Sequence, residues 1–272
     1  ELIENKRFVK LKKILSEMQP ADIAEIFEEA KDKEIPVLFR ILPKDLAAEV
    51  FVEFESDKQK LLVNAFSDNE LREVLDELFM DDTVDLIEEM PATVAKRILK
   101  HTDANTRRMI NKLLAYHDDS AGSIMTTEYI DLKRNMTVDD ALDRIRNKGI
   151  NTETIYTCYV IDSRRNLLGT VSLRDLLLNQ KDCIINDLMD ENVIFANTLD
   201  DKEEVVALFD RYNMLALPVV DKERRLVGLI TVDDAIDVMQ EETSEDIEKM
   251  AAILPSEKTY LKTGVFETFR SR

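Results

Sequence analysis

The chain has 272 residues, 44% of them hydrophobic, and its 56 acidic against 37 basic side chains give a formal net charge of −19. That length supports two domains with separate cores, and that charge makes nucleic acid, anionic lipid surfaces and acidic substrates poor partners and cations good ones. Cys158 and Cys183 make no disulfide framework and point to a reducing compartment. His101 and His117 stand in no zinc-ligand spacing, and no apolar run reaches the roughly 18 residues of a membrane-spanning helix. The first residue, Glu1, and the last three, Arg270-Ser271-Arg272, read as cuts in a larger protein.

Residues 1–120 read as helix after helix. Apolar residues recur at three and four, as in Ile23, Ile26, Phe27 and Leu71, Val74, Leu75, Leu78. Pro20-Ala-Asp, Pro43-Lys-Asp, Ser67-Asp-Asn-Glu and Pro91-Ala-Thr mark starts, with proline in the first turn and Asp or Ser as caps. PADIAEIFEEA (20–30), PKDLAAEVFVEF (43–54) and SDNELREVLDELF (67–79) resemble one another at a period near 24. Stacked short helices in a superhelix are expected, with an irregular bundle as the alternative.

HDDSAGS (117–123) reads as a linker. Beyond it a sharper repeat appears. Asp162, Gly169 and Asp175 match Asp221, Gly228 and Asp234 at a constant offset of 59, while Met125 matches Met189 at 64 and Thr137 matches Thr198 at 61. The first copy therefore carries three extra residues before its helix and two after, as insertions in loops should fall. Each copy reads strand, helix, strand, strand, helix. In the second these are Val193–Ala196, Lys202–Tyr212, Ala216–Val220, Leu226–Thr231 and Asp233 onward.

A small hard divalent cation takes oxygen ligands, keeps several waters and uses one or two carboxylates, so weak sites for one look like sparse acidic pairs. Asp81 with Asp85, Asp234 with Asp237, Glu242 with Glu245, and Asp201 with Glu203 are such pairs. Each alone also fits a solvated acidic face. Catalytic signatures are missing: no P-loop, no HExxH, no nucleophile elbow.

The duplicated strand–Asp-turn–strand–Gly-h-h-[ST]-x-x-Asp pattern resembles a tandem pair of CBS motifs, a Bateman module. The flanks DSAGSIMTTEYI (119–130), ETIYTCYVID (153–162), SLRDLLL (172–178), NMLALPVVD (213–221) and LVGLITVDDAIDVMQEETSEDI (226–247) look like the MgtE family. The resemblance implies an all-α superhelical N-terminal domain over 1–120, CBS domains over 121–183 and 184–243, together an α+β module, and a linking helix over 244–272 leading to a membrane domain outside this chain. It implies a Mg²⁺-sensing regulatory region at the cytoplasmic face of the membrane, a homodimer, and no enzyme. Matched residue by residue, it places ion contacts at Glu49, Asp81 and Asp85, at Asp201, Glu203, Asp234 and Asp237, at backbone carbonyls near Ser123 and Asp210, and at Glu242 and Glu245. Asn213 stands where relatives can carry a carboxylate, which weakens that site. The alternative is an adenine-nucleotide sensor. Ser172, Arg174 and Asp175 would meet ribose and phosphate, and Thr157, lacking a ring to stack on the base, makes ATP binding weak.

Overall fold

The computed structural model describes residues 8–250, in two compact units that meet between Ala115 and Tyr116. In the first, α1 (Phe8–Leu15) precedes α2 (Pro20–Glu28), α3 (Ile35–Phe39), α4 (Lys44–Val52), α5 (Ser56–Ala65), α6 (Asp68–Leu75), α7 (Met80–Glu89), α8 (Ala92–His101) and α9 (Ala104–Leu113). The helices α2, α4, α6 and α8 start at 20, 44, 68 and 92, each 24 residues after the last. α2 packs on α4, α4 on α6 and α6 on α8, while α3 packs on α5, α5 on α7 and α7 on α9. The repeat is therefore a helix pair. Its register persists in both layers: Phe27, Phe51 and Leu75, and Leu38, Leu62, Leu86 and Ile110, are each spaced by 24 and buried. A repeat that contacts chiefly its neighbours builds the expected superhelix.

Ser67 caps α6 in a capping box. Its hydroxyl accepts from the Glu70 amide, and the Glu70 carboxylate accepts from the Ser67 amide. The expected aspartate caps do not form: Asp22 and Asp45 sit inside the first turn, and Pro43 and Pro91 occupy the N-cap with no side-chain acceptor. A carboxylate in the first turn still complements the helix dipole.

Arg97 on α8 ties successive repeats together. It donates to the carbonyls of Val63 at 2.5 Å and Phe66 at 2.7 Å, and to Asp68 at 3.0 Å. Arg97→Met keeps the aliphatic stem but orphans the last carbonyls of α5, and should destabilise the chain by about 2 kcal/mol in urea unfolding. A change below about 0.5 kcal/mol would show that water replaces the guanidinium.

The second unit contains β1 (Asp131–Leu132), α10 (Val138–Lys148), a 3₁₀ turn (Gly149–Asn151), β2 (Thr157–Ile161), β3 (Leu167–Ser172) and α11 (Leu173–Leu178). After α12 (Ile185–Leu188) follow β4 (Ala196–Asn197), α13 (Lys202–Tyr212), β5 (Ala216–Val220), β6 (Leu226–Thr231) and α14 (Val232–Met250). Each copy makes a three-stranded sheet, one parallel pair and one antiparallel. The first strand of copy two lies at Ala196–Asn197, later than the expected 193–196. The expected split of three extra residues before the copy-one helix and two after it does not hold: α10 and α13 are both offset by 64, as Met125 and Met189 are, with Thr137 and Asp201 as their N-caps, so all five extra residues follow α10, where the 3₁₀ turn lies.

The copies exchange short segments. Thr126, ahead of copy one, exchanges two backbone hydrogen bonds with Leu229 of β6, at 2.8 and 2.9 Å. Asp190, ahead of copy two, does the same with Thr170 of β3, at 3.0 and 2.9 Å. The turns meet as well: Leu167 N–H donates to Arg224 O and Leu226 N–H to Arg165 O, with both arginines in the left-handed region at φ 64° and 70°. Gly228 and Gly169 are the points of closest approach. A Cβ on Gly228 would stand 2.6 Å from the Thr126 carbonyl oxygen, and one on Gly169 2.8 Å from that of Asp190.

Residues 117–123 are no free linker. Ala121 N–H donates to Asp200 O, Gly122 N–H to Thr198 O, and Lys202 N–H to Asp119 O. Ser120, Ala121 and Ser123 are buried. The small residues let this segment lie directly against the entry to α13.

Candidate metal centre

α13 and α14 pack side by side and run antiparallel. The start of α13 lies beside the middle of α14, where Lys202 pairs with Glu241 at 3.9 Å. Beyond the end of α13, the carbonyl of Leu215 accepts from the amide of Val232, the first residue of α14. The pair thus gathers the predicted carboxylates at two ends.

At one end, Glu203 on α13 and Glu242 on α14 come close enough for the two carboxyl groups to act on each other, and Glu245 adds its charge. Withdrawal from water, then the Glu203 carboxyl, holds Glu242 above the ordinary glutamate value, and the Lys202 ammonium draws it the other way. Two carboxylates this close favour a proton or a cation between them. Asp201 also lies here, as the N-cap of α13 accepting from the Glu203 amide at 2.9 Å and the Glu204 amide at 3.4 Å. That capping explains its residue type without an ion. Ser123, whose hydroxyl donates to the carbonyls of Asp118 and Ser120, belongs to the segment stitched to this end.

At the other end stand Asp210 and Asn213 at the close of α13, and Asp234 and Asp237 at the start of α14. Asp234 accepts from the Thr231 hydroxyl and amide. Partial burial raises its pKa, the Thr231 bonds oppose this, and the Asp233 and Asp237 carboxylates add to it. Asp237 is raised by partial withdrawal from water and by Asp233. Asn213 ends α13 in the left-handed conformation, φ 50° and ψ 49°. Asparagine tolerates that conformation better than a β-branched or bulky residue. Asp201 and Asp210 are nine residues apart, about 13 Å along a helix, so the two ends hold separate ions if both are filled. An oxygen-only donor set with surplus negative charge fits a hard divalent cation.

In the first unit Asp81 and Asp85 share α7, one turn apart, and Asp81 accepts from the Asp82 amide. Glu49 is exposed on α4, in the other helix layer, and among the described residues it forms no acidic cluster with the α7 pair. Of the nucleotide candidates, Thr157 lies opposite Ser172 in the β2–β3 pair. Ser172 caps α11, accepting from the Asp175 amide at 3.0 Å and donating to its carboxylate at 2.6 Å. Arg174 is exposed and, among the described residues, makes no ion pair. Thr231 and Asp234 repeat the Ser172–Asp175 arrangement in copy two, so both pairs serve first as helix caps.

The sequence reading missed Lys202 and Asp233. Their signal was adjacency: Lys202 lies beside Glu203 and reaches across to α14, and Asp233 lies beside Asp234. The helix from Val232 runs unbroken to Met250, and the segment TYLKTGVFETFRSR lies outside the described residues. Among the described residues no helix is long and apolar enough to cross a membrane.

The family model for the MgtE intracellular N domain matches residues 2–119, and that for the CBS domain matches 121–182 and 185–241. The magnesium transporter MgtE of Thermus thermophilus is 36% identical over 258 residues, which are 93% of this chain and 57% of that relative; the chain spans little more than half its length. A crystal structure of the cytosolic domain of the Mg²⁺ channel MgtE in complex with ATP is 36% identical with a TM-score of 0.79, covering 84% of this chain and 93% of that one. The soluble part of a magnesium transporter is 30% identical with a TM-score of 0.82, covering 89% and 95%. With an N domain and two CBS repeats matched in order, on a superhelix and a pseudo-symmetric pair of sheets, the chain belongs to the MgtE family.

Proposed function

We propose that this chain is the Mg²⁺-sensing regulatory region of a magnesium transporter, set at the cytoplasmic face of the membrane and coupled to a transmembrane domain beyond α14. It is a binding module and not an enzyme. The observation that carries the reading is the contact between Glu203 and Glu242, which leaves a charge surplus that a hard cation relieves. Glu245, the Asp201 and Ser123 segment, and the cluster of Asp210, Asn213, Asp234 and Asp237 extend the ligand set. Asp81 and Asp85, with Glu49, supply the acidic face of the N-terminal unit. At low Mg²⁺ two acidic units repel; at millimolar Mg²⁺ shared ions draw them together, a state that in the whole transporter closes the pore. The purified chain should gain thermal stability with added Mg²⁺, with Mn²⁺ or Ca²⁺ replacing it in part; a melting temperature indifferent to all three contradicts the reading.

A homodimer is part of the proposal. Tyr156 and Leu177 in copy one, and Leu215 and Ile236 in copy two, are exposed apolar residues at corresponding positions, 59 apart. The carbonyls of Tyr156 and Leu215 accept from the first residues of α11 and α14, so the pattern repeats in the backbone too. Repeated apolar patches on a chain this acidic suit a symmetric interface. Analytical ultracentrifugation should give a dimer at micromolar concentration, and Leu177→Glu with Ile236→Glu should give the 31.4 kDa monomer; a parent that sediments as a monomer removes the dimer. ATP is a second reading, favoured by the place where Thr157, Ser172 and Asp175 meet and by the ATP complex of the relative. A fluorescent ATP analogue that unlabelled ATP cannot displace excludes it.

A further inference from the structure

The acidic end of the α13–α14 pair carries its own cation. Lys202 is the first residue of α13. Its amide is held by the carbonyl of Asp119 at 3.0 Å, and its side chain, only 15% exposed, reaches across to Glu241 of α14 at 3.9 Å. The next residue on each helix, Glu203 and Glu242, forms the carboxylate pair, and the Lys202 ammonium, placed beside it by the Glu241 ion pair, lowers the cost of charge on Glu242. A buried lysine stem with one long ion pair is poor evidence of stabilisation. Its position is better explained as charge compensation at this cluster.

We propose that Lys202 is a tethered counter-ion that stands in for the divalent cation when the site is empty, and so sets the Mg²⁺ concentration at which the Glu203–Glu242 site fills. The proposal rests on the reading of that pair as an ion site. The ammonium partly neutralises the carboxylates and keeps the helices together without metal. An arriving dipositive ion is repelled by it and must displace its influence before gaining the full attraction of the carboxylates. The threshold rises accordingly, which suits a sensor meant to stay empty at low Mg²⁺ and fill in the millimolar range. Glu245 does not share this role, because Lys249 holds it at 2.8 Å.

The test is a MgCl₂ titration of the 272-residue chain, read by melting temperature, for the parent, Lys202→Met, Lys202→Arg and the double variant Glu203→Gln, Glu242→Gln. Lys202→Met keeps the apolar stem. Its half-effect concentration should fall about 3- to 10-fold, the scale of repulsion between a unit and a double charge several ångströms apart in a watery, screened setting. Without metal it should melt below the parent, and saturating Mg²⁺ should restore it. Lys202→Arg should titrate like the parent. A Lys202→Met half-effect concentration equal to or above the parent's overturns the role given to Lys202. If the double carboxamide variant responds to Mg²⁺ as the parent does, the ion site itself falls and the proposal with it.

Discussion

Gly228→Val should destabilise the chain by about 3 kcal/mol, and Gly169→Val by a similar amount. Neither glycine has a positive φ, so the reason is not backbone strain. A Cβ at 228 would lie 2.6 Å from the Thr126 carbonyl oxygen and 2.7 Å from the Met125 sulfur. The main chain at 126 cannot withdraw without breaking both of its bonds to Leu229. Gly149→Ala is the contrast. Its Cβ would meet the Cγ2 methyl of Ile155 at 2.9 Å, a side-chain atom that a small shift of Ile155 can relieve where a main-chain carbonyl could not, and the change should cost less than Gly228→Val, about 1 kcal/mol. Urea unfolding checks the series. A Gly228→Val chain within about 0.5 kcal/mol of the parent would mean that the exchanged segments contribute little.

Replacing Glu203 and Glu242 together with glutamine should abolish the Mg²⁺ stabilisation carried by that site, roughly 1.4 kcal/mol at ten times its dissociation constant. The same change should raise stability without metal, because the like-charge contact is gone. The pH dependence has a definite sign. Glu242 is held above its ordinary 4.5 by withdrawal from water and by Glu203. The folded chain therefore binds this proton more tightly than the unfolded chain does. Its penalty is absent below the ordinary carboxylate value, grows as pH rises through it, and is complete above the raised value. The melting-temperature gap between the metal-free variant and the metal-free parent should thus widen from pH 5 to pH 7.5, and Mg²⁺ should close it. A gap that narrows with rising pH contradicts the assignment.

Much of this was legible because repeats leave periodic marks. Phe27, Phe51 and Leu75 kept the 24-residue spacing, and the paired aspartates and glycines kept the offset of 59. What the sequence hid was the second helix of each N-terminal repeat as a stacking partner, since α3 is five residues long and weakly patterned. The segment exchange was hidden too: the pairing of Thr126 with Leu229 spans about a hundred residues and has no local signal. HDDSAGS reads as a linker by composition, yet its small residues serve close packing. Among the site residues, Asp201, Ser172 and Asp234 carry helix caps, a local role sufficient to explain their types. The contact of Glu203 with Glu242 arises only when α13 and α14 pack antiparallel, so spacing within one helix did not reveal it.

In the proposed mechanism several ions, not one, draw the two acidic units together. Moving a two-state equilibrium from 1:99 to 99:1 requires about 5.5 kcal/mol. An ion binding only the compact state at ten times its dissociation constant contributes roughly 1.4 kcal/mol, so about four are needed. Small-angle scattering of this chain across a Mg²⁺ titration tests this directly. The radius of gyration should fall steeply between zero and about 10 mM, the range of weak sites with retained waters, and Asp81→Ala with Asp85→Ala should blunt the fall. A curve that stays flat over that range, or a double variant that responds as the parent does, would contradict it.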